Sequence, residues 1–116
     1  MRAAIERSQV TVNDVIERDP GAEVLSSAAV VLDVREDKEY AGGHIPKARH
    51  IPLGQLAGRM QELEKFKGKP ILVTCRSGHR SARACGMLKK AGFETVYNQA
   101  GGILAWERAN LPVTQK

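Results

Sequence analysis

The sequence predicts an α/β domain: a mainly parallel sheet with helices on both faces. Three observations predict it. Two short, nearly continuous apolar runs read as strands buried on both sides. The segments between strands carry apolar residues at helical spacing. The chain of 116 residues is long enough for one core and too short for two ordinary ones, so a single domain is expected, its core spanning roughly 9–112 with short tails at both ends.

In chain order, Gln9-Val10-Thr11-Val12 adds a first strand at an edge. Thr11 to Arg18 offers a Thr or Asn cap, with Val12, Val15 and Ile16 on one face, and Asp19-Pro20-Gly21 stops it. Ala29-Val30-Val31-Leu32-Asp33-Val34 is the first doubly buried strand. Gly43 to Pro52 reads as turn chemistry around Pro46 and Pro52, with His44 bonding a backbone carbonyl rather than a metal. Leu53 to Phe66 predicts one helix on Leu53, Leu56, Met60 and Leu63, ended by Gly68. Pro70-Ile71-Leu72-Val73-Thr74-Cys75 is the second buried strand, opened by a proline where a strand tolerates one. Ser81 to Ala91 predicts a helix capped by Ser81, with Ala84, Met87, Leu88 and Ala91 on one face and Gly92 as the stop. Glu94-Thr95-Val96-Tyr97 is a shorter strand, and Gly102 to Asn110 a last helix that packs Trp106 on the sheet.

Composition narrows the function. Apolar residues make up 42% and aromatics only 4%, so the core rests on aliphatic side chains. No apolar run approaches the ~20 residues that span a bilayer, and Met1 to Arg7 contains Glu6 and no apolar stretch, so neither a membrane segment nor a secretory signal is expected within this chain. The net charge of +5 favours an anionic partner. Nucleic acid is not expected, because the basic residues are scattered and lack aromatic stacking platforms. The group Arg49, Lys65, Lys67, Lys69, Lys89 and Lys90 reads as solvated surface, or as a docking patch for an acidic acceptor protein. The two cysteines form no Cys-x-x-Cys and no zinc spacing, which excludes a disulfide framework and suits a reducing cytoplasm.

The chemistry concentrates in Cys75-Arg76-Ser77-Gly78-His79-Arg80-Ser81, between a buried strand and a helix start. A helix start presents unpaired N–H groups and about half a positive charge. Small loop residues curled above it make an anion cradle, and Gly78 permits the bend. A thiol there is expected to ionise below the ordinary ~8.5 of cysteine, which makes Cys75 a nucleophile with no adjacent general base. One of Arg76 and Arg80 faces an anionic substrate, and the other pairs with an acid such as Asp33 or Glu36. Asp33 and Arg35 support the site as an ion pair. His79 either tunes the sulfur or points to solvent while its N–H serves the cradle. Cys85, ten residues after Cys75, reads as a small buried hydrophobe, the functional alternative being a resolving thiol.

The run Cys75 to Ser81 resembles the active-site loop of the rhodanese family of thiosulfate:cyanide sulfurtransferases. Three other segments resemble the family in order. They are Asp33-Val34-Arg35-Glu36, the run from Gly43-His44-Ile45-Pro46 to Ile51-Pro52, and Gly101-Gly102-Ile103-Leu104-Ala105-Trp106. The resemblance covers Val10 to Pro112 and departs at Lys47, where the family usually has glycine; a turn there makes the change local. It implies a three-layer fold around a five-stranded sheet and a two-step exchange. A small anionic donor such as thiosulfate gives its outer sulfur to Cys75, and cyanide, a thiol or an acceptor protein removes it. No metal or organic cofactor is implied. Related phosphatases and arsenate reductases have five residues between the loop cysteine and arginine. Here four separate Cys75 from Arg80, a smaller bowl that suits sulfur. A non-catalytic relay or interaction module is the other alternative.

Overall fold

The computed structural model describes residues 30–116. The strand expected at 9–12 and the helix at 11–18 lie outside them. Among the described residues the sheet has four strands, all parallel, where five were expected.

Strand β1 is Val30–Asp33 and β3 is Ile71–Thr74; every residue of both is buried. They pair in register from Val30 against Ile71 to Asp33 against Thr74. Strand β4, Val96–Asn98, lies on the far side of β3, and β2, Arg49–His50, on the far side of β1, giving the order β2-β1-β3-β4. Alternation along the strands splits the core. Val30, Leu32, Ile71, Val73, Cys75 and Val96 face one layer, and Val31 and Leu72 face the other with Ile103 and Trp106. A buried face on each side explains the continuous apolar runs.

On the first face lie α2 (Leu53–Arg59), a 3-10 helix (Met60–Phe66) and α3 (His79–Lys90). The single helix expected over 53–66 is therefore two. Arg59 leaves helical geometry at φ −120° and ψ 15°, after Gly54 and Gly58 have weakened the α-helix. Beyond it the apolar spacing is three: Met60, Leu63, Phe66. A 3-10 helix, with three residues per turn, aligns that spacing on one side and buries Leu63 and Phe66.

The second face is covered by α4 (Gly102–Arg108), whose Trp106 is fully buried and donates its indole N–H to the Pro112 carbonyl at 2.8 Å. Two elements were not expected from sequence. Helix α1, Asp37–Ala41, follows β1, and its Glu39 accepts the Glu36 N–H at 2.9 Å. Strand β2 occupies two residues of the segment read as turns. His44 there bonds the Tyr40 carbonyl at 2.8 Å through Nδ1, the backbone contact its setting predicted.

Candidate active site

Cys75 follows β3 at its carboxyl end and keeps the phase of Ile71 and Val73, so its side chain turns toward α3. The backbone beyond it is held by α4. Ile103 N–H donates to the Cys75 carbonyl at 2.8 Å and Leu104 N–H to the Arg76 carbonyl at 3.3 Å. With those two carbonyls bonded to α4, the N–H groups of Ser77, Gly78 and Ser81 are the ones that bond the sulfur. Gly78, at φ 105°, donates its N–H to Cys75 Sγ at 3.0 Å. Gly78 is also the residue before α3, so the cap expected at Ser81 is not there. The positive φ at Gly78 brings the chain into the helix three residues earlier, and Ser81 becomes a buried member of the first turn.

The cysteine residue is only 1% exposed, but its sulfur is not in purely apolar surroundings. Sγ meets the Gly78 N–H and lies 3.4 Å from Ser81 Oγ. Burial pushes the thiol up, and the Ser81 hydroxyl together with the N–H groups of Ser81, Gly78 and Ser77 outweighs it, so the net direction is down. Ser81 Oγ in turn donates to Asn98 Oδ1, and Asn98 Nδ2 donates to the Gly78 carbonyl at 3.2 Å. Sequence reading missed Asn98. Its signal was a polar residue in β4 two positions after Val96, the phase that faces the core.

Arg76 and His79 are exposed at the rim, and Ser77 Oγ meets His79 Nδ1 at 3.2 Å. Of the two readings of His79, its side chain takes the outward one; the amides bonded to the sulfur are those of its neighbours. Arg80 is held by neither Asp33 nor Glu36. It forms a two-pronged pair with Glu39 of α1 at 2.8 and 2.9 Å, because the α1 turn places Glu39 across from α3. The Arg80 guanidinium keeps the Glu39 carboxyl at about 2. Asp33 and Arg35, 0% and 5% exposed, pair with each other at 2.8 Å, and Arg35 also donates to the Gly43 carbonyl at 2.7 Å. They brace β1 against the segment leading to β2 and do not touch the sulfur.

Cys85 is buried on the same face of the sheet, and burial pushes its thiol up to about 12. Among the described residues no His, Cys, Asp and Glu cluster could hold a metal, and no helix is long and apolar enough to cross a membrane. Arg49, Lys65 and Lys69 gather around the Phe66 ring at 4.5, 5.3 and 6.0 Å. Lys65 and Lys69 precede β3 whereas Cys75 follows it, so these two lysines sit at the other end of that strand from the thiol.

A thiol cradled by helix-start amides at the carboxyl edge of a parallel sheet places the chain in the class of α/β domains with an anion-accepting thiol loop. Within it the chain belongs to the rhodanese-like sulfurtransferase family: the family profile described as "Rhodanese-like domain" matches residues 18–109. YtwF of Bacillus subtilis, which has a provisional sulfurtransferase name, is 45% identical over 82 residues, 71% of this chain and 77% of that protein. A sulfurtransferase of Allochromatium vinosum is 39% identical over 84 residues, 72% of this chain and 77% of its own. A rhodanese-related protein of Thermoplasma volcanium superposes with a TM-score of 0.79 at 31% identity, covering 94% of this chain and 99% of the other.

Proposed function

We propose that the protein moves a sulfane sulfur through a persulfide on Cys75, taking it from thiosulfate or a persulfide donor and giving it to a thiophilic acceptor. The observation that carries this reading is the 3.0 Å bond from the Gly78 N–H to Cys75 Sγ at the start of α3. A sulfur so placed is nucleophilic as the thiolate, and the same amides receive negative charge on a sulfur added beyond it.

In the first step the thiolate attacks the outer sulfur of thiosulfate. The new Sγ–S bond forms, the S–S bond of the donor breaks, and sulfite leaves with its electron pair. In the second step an acceptor thiolate or cyanide attacks the outer sulfur and Cys75 leaves as thiolate. Charge and atoms balance without a redox partner or a metal. Arg76 receives the anionic donor in this reading, because it is exposed at the rim while Arg80 is bound to Glu39. Ser77, Gly78 and Ser81 supply the amides, and His79 borders the entrance. Asp33 and Arg35 support the sheet edge behind the loop. The acceptor in the cell is a thiol or an acceptor protein, and a cytoplasmic setting fits a thiol that must stay reduced.

Incubation with thiosulfate is expected to raise the intact mass by one sulfur, and thiocyanate is expected on adding cyanide; both vanish in Cys75→Ala. Unchanged mass with hydrolysis of p-nitrophenyl phosphate at a comparable rate would instead mark a phosphatase.

A further inference from the structure

Cys75 is linked to β4 by a buried polar chain. Ser81 Oγ lies 3.4 Å from Cys75 Sγ and donates to Asn98 Oδ1, and Asn98 Nδ2 donates to the Gly78 carbonyl at 3.2 Å. Cys75, Ser81 and Asn98 are 1%, 0% and 2% exposed, so water does not replace a missing partner easily. The Asn98 amide has one orientation. The Gly78 carbonyl can only accept, so it takes the NH2 group and turns Oδ1 toward Ser81. Oδ1 can only accept as well, so its bond to Ser81 uses the hydroxyl proton, and Ser81 has one. With that proton on Asn98, Ser81 offers Cys75 a lone pair, which suits an S–H. A thiolate has no proton to give and would face that lone pair as a second acceptor. To bond the thiolate, the hydroxyl must turn to the sulfur and leave Oδ1.

We propose that Asn98 is a positioning residue for Cys75: its side-chain oxygen competes with the sulfur for the single Ser81 hydroxyl proton, and the winner changes with the state of Cys75. This inference rests on the sulfur-transfer reading and deepens it. Ser81 bonds Asn98 while Cys75 is a thiol. When the S–H proton leaves to solvent, the hydroxyl turns to Sγ. When thiosulfate loads the sulfur and sulfite departs, the negative charge moves to the outer atom and Sγ becomes a poor acceptor. The hydroxyl then returns to Asn98, and the loop amides are left to the charged sulfur. Each return to thiolate reverses the turn, so Asn98 favours the loaded state over the empty nucleophile.

The other groups that act on Cys75 stay fixed through this exchange. The N–H groups of Ser77, Gly78 and Ser81 bond the unloaded sulfur whichever way the hydroxyl turns. Arg80 on α3 is bound to Glu39 on α1, and Cys85 on α3 is held as a thiol by burial.

The test is a titration of the Cys75 thiolate by ultraviolet absorbance on the full chain, in wild type, Asn98→Leu, Ser81→Ala and the double variant. Asn98→Leu keeps the branched outline of the side chain and removes the competing oxygen, so the titration midpoint falls, by about one unit for one hydrogen bond to a charged sulfur. Ser81→Ala raises it by about as much. The double variant matches Ser81→Ala alone. Asn98→Ala removes the same oxygen and gives the same pattern should the leucine disturb folding. A midpoint that rises or stays put without Asn98, or a shift from Asn98→Leu that survives in the Ser81→Ala background, overturns the proposal. The titration needs no sulfur donor, so failure of thiosulfate loading would sink the transfer reading while leaving this result to stand or fall by itself.

Discussion

Gly102 lies directly against the backbone of Cys75: a β-carbon built on it would overlap the Cys75 carbonyl oxygen and the Arg76 carbonyl group. This close approach is what lets the first amides of α4 reach the two loop carbonyls, and Gly102 also holds a φ of 56° that favours glycine. Gly102→Ala is therefore expected to combine left-handed strain with a backbone collision, about 2–4 kcal/mol of lost stability. Sulfur loading of Cys75 should fall with it. Denaturant melts and intact-mass loading assays check both; a variant of wild-type stability and loading would show that the contact yields without cost.

The Arg80–Glu39 pair makes a pH prediction whose sign follows from the carboxyl. Glu39 is held down from 4.5 to about 2, chiefly by the Arg80 guanidinium, so the folded state keeps it ionised where the unfolded chain protonates it. Its contribution is full above 4.5 and is lost as the pH falls toward 2. Glu39→Gln is expected to flatten the fall in unfolding free energy across that window, leaving neutral-pH stability lowered by about 1 kcal/mol for a pair that water still partly screens. Equal slopes in wild type and Glu39→Gln, measured by denaturation at several pH values, would remove Glu39 from the account.

These two contacts also show what was legible in the chain. The strands around Val30–Asp33 and Ile71–Thr74 were readable because a doubly covered strand must be apolar at every position, and Cys75 was placed by being the residue after one of them. The loop could be identified from Gly78 and its neighbours, since small residues between strand and helix have few other uses. Glu39 was not readable, because it meets Arg80 across 41 positions and sits in a five-residue helix too short to show a period. Asn98 was hidden for a related reason: three strand residues carry little alternation, and its partners Ser81 and Gly78 come from a different element. The 3-10 helix was visible only in hindsight, through the change of spacing at Met60.

The two cysteines should differ sharply in reactivity. The Cys75 thiol is lowered by the loop hydrogen bonds, whereas burial holds the Cys85 thiol near 12, with only roughly one part in 10⁵ ionised at neutral pH. Limited iodoacetamide treatment of the native protein is expected to label Cys75 alone, with labelling abolished in Cys75→Ala. The low thiolate fraction of Cys85 also disfavours it as a resolving thiol, so peroxide should leave the pair unlinked in non-reducing mass spectrometry. An intramolecular disulfide would contradict that.

Lys47, the departure from the usual glycine, sits at φ 67°, one of two non-glycine residues at positive φ among those described. The segment must turn sharply there: Ala48 N–H reaches back to the Ile45 carbonyl at 3.1 Å before the chain enters β2. A side chain in this region costs roughly 1–2 kcal/mol, and replacing it by glycine costs part of that back through the freer unfolded chain. Lys47→Gly is expected to stabilise the protein by about 0.5–1 kcal/mol net. Because Lys47 is exposed and lies in a segment apart from the Cys75 loop, thiocyanate formation should be unchanged. Thermal and denaturant melts read the first outcome and the sulfurtransferase assay the second. A destabilised Lys47→Gly would mean that the lysine gains more from its surroundings than the turn loses by bearing a side chain.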